Sequence, residues 1–202
     1  MIFKYDGRKF ALLTLVSLAT ACFGAQSQAD IVVLKHHNSI DAMAYFGRII
    51  DHHSDSSDSL QSYSGSVTAH SYYASALASL ASTLQSNTLT IQGDAMEIRH
   101  GYKQIFDGYL RWGGSAAADT VLSFQVTTTA VYTVQATISS NAAGGFVKLL
   151  RDGVEQFNLS SGSVDIGYLF EAGRTYEVDA HAYVVDDHKA SYWFSLAGDQ
   201  SL

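Results

Sequence analysis

From Thr120 to Ala197 the chain alternates apolar and polar residues in one run after another, with Gly- or Asp-containing turns between the runs. Thr120, Leu122, Phe124 and Val126 share a face, as do Tyr132, Val134, Ala136 and Ile138, and then Val164, Ile166, Tyr168 and Phe170. Tyr176, Val178, Ala180, Ala182 and Val184 follow, and Tyr192, Phe194 and Leu196 close the series. A period of two puts successive side chains on opposite sides of an extended backbone, so each run has one face to bury and one to wet. Strands of this kind reach a common core by stacking as sheets. The expected fold is therefore all-β: a two-layer antiparallel β-sandwich, jelly-roll-like, with an irregular or short-helical N-terminal piece.

Upstream the periods are mixed. Ile31 to Leu34 fits a short strand, whereas Ile40, Met43, Phe46, Gly47 and Ile50 fall near helical spacing and predict a short helix. Ser54 to Ser59, which contains Asp55 and Asp58, reads as a surface loop or linker. An extension with a polar linker is thus expected over 30–60, ahead of a sandwich domain over 61–202. Within 74–86, Leu77, Leu80, Ala81 and Leu84 fit a helix, and Ala74, Ala76, Ala78, Leu80 and Leu84 fit a strand. Ala and Leu propensity favours the helix; frequent Ser and Thr between turn residues favour strands, and strands are expected. Ala95 to His100 and Ile105 to Trp112 make two more, with Gly113-Gly114 closing this half.

Two hairpins can be read at register level. Around Asp152-Gly153, a three-residue loop with Gly153 as a left-handed bulge residue pairs Val147 with Phe157 and keeps apolar faces together. In the second, a five-residue loop over 186–190 sets Val184 against Tyr192, and Tyr183 against Trp193 on the outer face.

The N-terminus carries its own signal. Lys4, Arg8 and Lys9 precede an apolar run from Phe10 to Ala21, and small residues lead to Ser27-Gln28-Ala29. That order describes a cleavable export peptide over 1–29, in a bacterium, and a secreted protein. Cys22 is the only cysteine. Leu18 stands four places before it where a lipobox has leucine three places before, so lipid anchoring through Cys22, like periplasmic retention, is the alternative. Of 12 basic and 19 acidic residues, Lys4, Arg8, Lys9 and Asp6 belong to the leader; nine and eighteen remain, a net charge of −9. Such a surface repels phosphate, which argues against nucleic-acid partners. After the leader no apolar run is long enough for a transmembrane anchor.

Ser123-Phe124-Gln125-Val126 leading to Tyr132-Thr133-Val134, then Phe170 to Val178 (Phe-Glu-Ala-Gly-Arg-Thr-Tyr-Glu-Val), and finally Trp193-Phe194-Ser195-Leu196 form a set with a known look. Over about Ala69 to Ala197 the chain resembles the single β-sandwich ectodomains of bacterial exported proteins of the PEP-CTERM-associated type. The departure lies after Ala197, where Gly-Asp-Gln-Ser-Leu stands in place of a Pro-Glu-Pro motif and apolar helix. The resemblance implies a sandwich fold and an extracellular setting, brings no catalytic residues, and leaves free secretion as the expected fate.

Candidate ligand-binding residues are the aromatic pair Tyr183 and Trp193, flanked by His181 and Asp179, with Trp112 and Tyr109 as a second pair. Flat rings on a sheet face stack on sugar rings, and neighbouring polar groups fix orientation; rings that merely brace the sheet are the plainer account. His36, His37, His52, His53 and Asp55 are candidate Zn ligands, although adjacent residues on a strand diverge and the spacing matches no zinc signature. Asp55, Asp58, Asp186 and Asp187 offer oxygen ligands for Ca, or simply make turns. No nucleophile elbow, His-Glu-x-x-His or phosphate loop occurs. The function expected is that of a secreted, noncatalytic sandwich of the matrix or cell surface, binding extracellular polysaccharide. Two alternatives stand beside it. One is a polysaccharide hydrolase using two of Glu97, Glu155, Glu171 and Glu177; the other is a structural subunit that self-associates through edge strands.

Overall fold

The computed structural model describes residues 30–100, 112–140, 144–185 and 187–198. Within them the chain forms β1 (Ile31–Phe46), β2 (Ile49–Ser57), β3 (Tyr63–His70), β4 (Ala74–Leu84), β5 (Thr88–Arg99) and β6 (Trp112–Val126). It continues with β7 (Ala130–Ser140), β8 (Gly145–Arg151), β9 (Val154–Leu159), β10 (Gly162–Phe170), β11 (Tyr176–Val185) and β12 (Lys189–Gly198). These pair antiparallel into two six-stranded sheets: sheet A, ordered β2-β1-β6-β11-β8-β9, and sheet B, ordered β10-β7-β12-β5-β4-β3. The fold is an all-β, two-layer antiparallel sandwich.

Its core follows the alternation. Leu122 and Phe124 of β6, Val178 and Val184 of β11, and Val147 and Leu149 of β8 point inward from sheet A. Ile91 of β5, Val134 of β7 and Phe194 of β12 meet them from sheet B. Side-chain volume is graded along the sandwich. Ala42, Ala44, Ala116, Ala118 and Ala182 pack one end, while Phe124, Tyr132, Phe170 and Tyr176 fill the other with ring centroids 4.5–5.8 Å apart. The strand reading of 74–86 holds in β4, because Ala74, Ala76 and Ala78 supply small side chains to a buried face.

The N-terminal stretch departs from expectation. Residues 31–57 are neither irregular nor helical: β1 runs sixteen residues beside β6, and β2 folds back on it. Ile40, Ala42 and Ala44 are buried, with Asp41 and Met43 between them, so the working period is two. Ile50, counted in the helical face, is 62% exposed. The polar run Ser54–Ser57 belongs to β2, which lies at the edge of sheet A, where a strand has little to bury. Gly113 and Gly114 do not close a half of the molecule but lie within β6. Gly114 gives close passage to the Met43 carbonyl and to Glu97 Cγ, which a methyl group would strike. Of the expected strand over 105–112, residues 105–111 lie outside those described, as does the leader.

Both predicted hairpins are corrected. The β8–β9 turn is a two-residue Asp152-Gly153 loop with φ of 49° and 79°, the left-handed pair of a type I′ turn. A bulge then places Leu149 opposite Phe157 and Leu150 opposite Glu155, and Val147 pairs with Leu159 rather than Phe157. The apolar faces are matched as burial demands, but by a bulge outside the turn. The second correction is larger. β11 and β12 are not partners: β11 sits between β6 and β8 in sheet A, and β12 between β7 and β5 in sheet B. The chain changes layers between them.

Candidate functional site

Alternation along β11 turns Glu177, Asp179, His181, Tyr183 and Val185 to the outer face of sheet A. Register then brings in residues far away in sequence. His181 stands opposite Asp119 of β6 on one side and Phe146 of β8 on the other. Asp179 stands between Val121 and Lys148, and Tyr183 beside Ala117. The His181 ring is stacked against Phe146 (centroids 5.5 Å, planes 28° apart) and Tyr183 (6.1 Å, 18°). Lys148 Nζ lies 4.1 Å from the Phe146 centroid, a cation over a ring face. Three near-parallel rings thus form a strip along two strands, edged by two carboxylates and an ammonium.

The electrostatics reinforce the arrangement. His181 Nδ1 hydrogen-bonds Asp119 Oδ1, and this bond, outweighing burial, holds the imidazole pKa above its ordinary value. Burial raises the Asp179 carboxyl, with Lys148 acting against it. Tyr183 is 39% exposed, because Ala117 beside it is too small to cover the ring. Ser123 Oγ donates to Glu177 Oε2 at 3.0 Å further along the same face. Ser39, Asp119 and His181 share a cross-strand row and are the residue types of a hydrolase triad. The order is wrong for one: the aspartate stands in the middle, and the imidazole abuts Phe146 rather than a hydroxyl.

Of the residues singled out from sequence, Tyr183, His181 and Asp179 come together here. Trp193 does not. It lies half-buried on the outer face of sheet B, opposite Gln92 and Thr137, so the expected Tyr183–Trp193 pair is divided between opposite sides of the sandwich. The physical reason is the layer change between β11 and β12. Tyr109 lies outside the described residues; Trp112 begins β6, paired through its backbone with Phe46. Phe146, Asp119 and Lys148 were missed. Their alternation already turned them outward, but only long-range register shows which strands adjoin.

The histidines disperse. His36 is buried, with Nδ1 on the carbonyls of Ser59 (3.0 Å) and Gln61 (3.2 Å). His37 pairs with Asp58, His52 with Asp41 and His53 with Asp51, while Asp55 accepts from the Tyr63 hydroxyl at 2.8 Å. Among the described residues no group of three or more His, Cys, Asp or Glu is placed to hold a metal ion. Asp186, one of the candidate Ca ligands, lies outside them. The candidate hydrolase acids are also spread. Glu97 is buried in the core; Glu171 is paired with Arg151 and Arg174. Glu155 and Glu177 flank Leu150, two strand spacings apart on the face of sheet A.

Compared with known proteins, the chain matches no family model, no curated protein and no solved structure. Among the described residues no helix is long and apolar enough to cross a membrane.

Proposed function

We propose that this protein is an exported, noncatalytic β-sandwich of the bacterial matrix or cell surface, and that it binds neutral polysaccharide on the outer face of sheet A. The observation that carries the reading is the Phe146–His181–Tyr183 strip. Rings held parallel on rigid strands offer a sugar chain successive stacking platforms without a conformational cost on binding. Asp119 and Asp179 supply acceptors for sugar hydroxyls, and Lys148 and His181 supply donors. The excess of acid over base disfavours uronic or sulfated chains. The leader composition and the resemblance to PEP-CTERM-associated ectodomains support the extracellular setting.

A glycan array followed by titration calorimetry tests this. Tyr183→Ala and Phe146→Ala each remove stacking surface and are expected to weaken binding by about 1–2 kcal/mol, roughly ten-fold. Trp193→Ala, on the far side of the molecule, is expected to leave affinity unchanged. Loss of binding only in Trp193→Ala would move the site to sheet B, and an array without a neutral-glycan hit would remove the proposal.

A further inference from the structure

A sandwich of this kind has four edge strands, here β2 and β9 in sheet A and β3 and β10 in sheet B. Each edge presents a row of backbone donors and acceptors, which proteins protect with charges, bulges, proline or side-chain caps. The sequence contains no proline. β2 carries Asp51, His52, His53 and Asp55. On β3 the Asp51 carboxylate accepts from the His70 backbone N–H at 2.7 Å, capping that end. The β8–β9 bulge interrupts the pairing of β9.

Although the Tyr168 hydroxyl donates to Gln156 Oε1 of β9 at 2.9 Å, β10 is the least defended of the four: among the described residues it has neither bulge nor backbone cap. Its nine residues, Gly-Ser-Val-Asp-Ile-Gly-Tyr-Leu-Phe, contain one charge, Asp165, and pair with β7 in unbroken register from Gly162 to Phe170. Among the described residues nothing pairs with its outer edge. Apolar side chains are exposed on both faces of this border: Ile166 is 38% exposed on the inward face, and Leu169 51% on the outer face beside Val131 of β7 at 50%. Ile166 shares the inward face with Val164 and Tyr168, opposite Val134, yet no strand beyond β10 covers it.

We infer that β10 pairs with β10 of a second copy of this chain, joining two B sheets edge to edge about a two-fold axis through Ile166. Self-complementarity selects both occupant and register. With the axis at Ile166, Val164 faces the partner's Tyr168, Ile166 faces its own counterpart, and Asp165 faces Gly167, which has no side chain to clash. Moving the axis one residue to Asp165 sets two carboxylates directly opposite, which is destabilising. The isologous arrangement closes at two copies, so β10 is used up and no fibre grows from it. It lies apart from the stacked rings of sheet A, so it stands or falls independently of glycan binding.

Sedimentation of the purified chain over a concentration series, together with cysteine cross-linking in a Cys22→Ser background, tests it. Directly opposed residues of an antiparallel pair lie about 4.5–5.5 Å apart, within disulfide reach. Ile166→Cys is therefore expected to give a covalent dimer. Ser163→Cys is not, because its counterpart lies six residues further along the paired strands, about 20 Å away. Ile166→Lys, which opposes two ammonium groups, is expected to sediment as a monomer with wild-type thermal unfolding. A wild-type chain that stays monomeric at all concentrations would overturn the proposal. So would cross-linking at position 163 as efficient as at 166. If Ile166→Lys fails to fold, the two cysteine variants decide the question.

Discussion

Four buried polar side chains in a row cross from one sheet to the other. Tyr192 OH lies 3.0 Å from Thr120 Oγ1, which donates to Asn38 Oδ1 at 3.0 Å, while Asn38 Nδ2 donates to His36 Nε2 at 2.9 Å. Since Nε2 accepts, the proton sits on Nδ1 and points at the Ser59 and Gln61 carbonyls, which defines a neutral imidazole. Burial is the main cause lowering the His36 pKa below 6.5. Gly93, opposite Tyr192, leaves the space the phenol ring occupies; a methyl group there would strike it. Thr120→Val removes the link that serves both Asn38 and Tyr192, and urea unfolding is expected to show a loss of about 1–3 kcal/mol. The two perturbed histidines act in opposite directions. A depressed folded-state pKa makes the His36 contribution present above pH 6.5 and lost as pH falls through the folded value. The raised pKa of His181 makes its contribution full below pH 6.5 and lost as pH rises through the folded value. Melting curves are therefore expected to lose stability on acidification through His36, with a shallower acid limb in His36→Gln. Asp119→Asn is expected to remove the His181 loss at the alkaline side.

Among the elements, the β8–β9 hairpin shows how far local chemistry carries. Asp-Gly announced a tight turn, and Gly153 has the left-handed φ of 79° that it permits. Gly153→Ala is expected to cost about 1–2 kcal/mol in urea unfolding, since a Cβ is strained in that region. The loop length was not legible, because burial asks only that apolar residues of the two strands share a face; a longer loop does this with Val147 opposite Phe157, and the bulge does it with Leu149 opposite Phe157. The same limit explains the rest. Inward and outward faces from Thr120 to Ala197 could be read by alternation, as could the placement of Asp179, His181 and Tyr183 on one face. Which strands adjoin could not: Asp119 and His181 are 62 residues apart, and nothing in either segment names the other. Beyond Ile31–Leu34, which begins β1 as expected, the N-terminal strands were missed for a different reason. β1 has a short apolar face built on alanine, and β2 is polar because it lies at an edge.

At the scale of the molecule the two outer faces differ in character. Sheet A displays Asp119, Lys148, Glu177, Asp179 and His181 around its rings. Sheet B surrounds Trp193 with Gln92, Thr137, Ser191 and Ser195. Both layers share one constructional habit. β11 enters sheet A between β6 and β8, and β12 enters sheet B between β7 and β5, so each layer receives its central strand from the same short stretch of chain. Deleting 188–202 should therefore abolish cooperative unfolding altogether, which a calorimetric scan would show as the absence of a transition. A polypeptide leaving a ribosome or a translocation channel holds two unfinished half-sheets in each layer until that stretch emerges. On the export route proposed above, both layers would be closed only by the last strands to arrive, so passage through a membrane would come before the sandwich is complete.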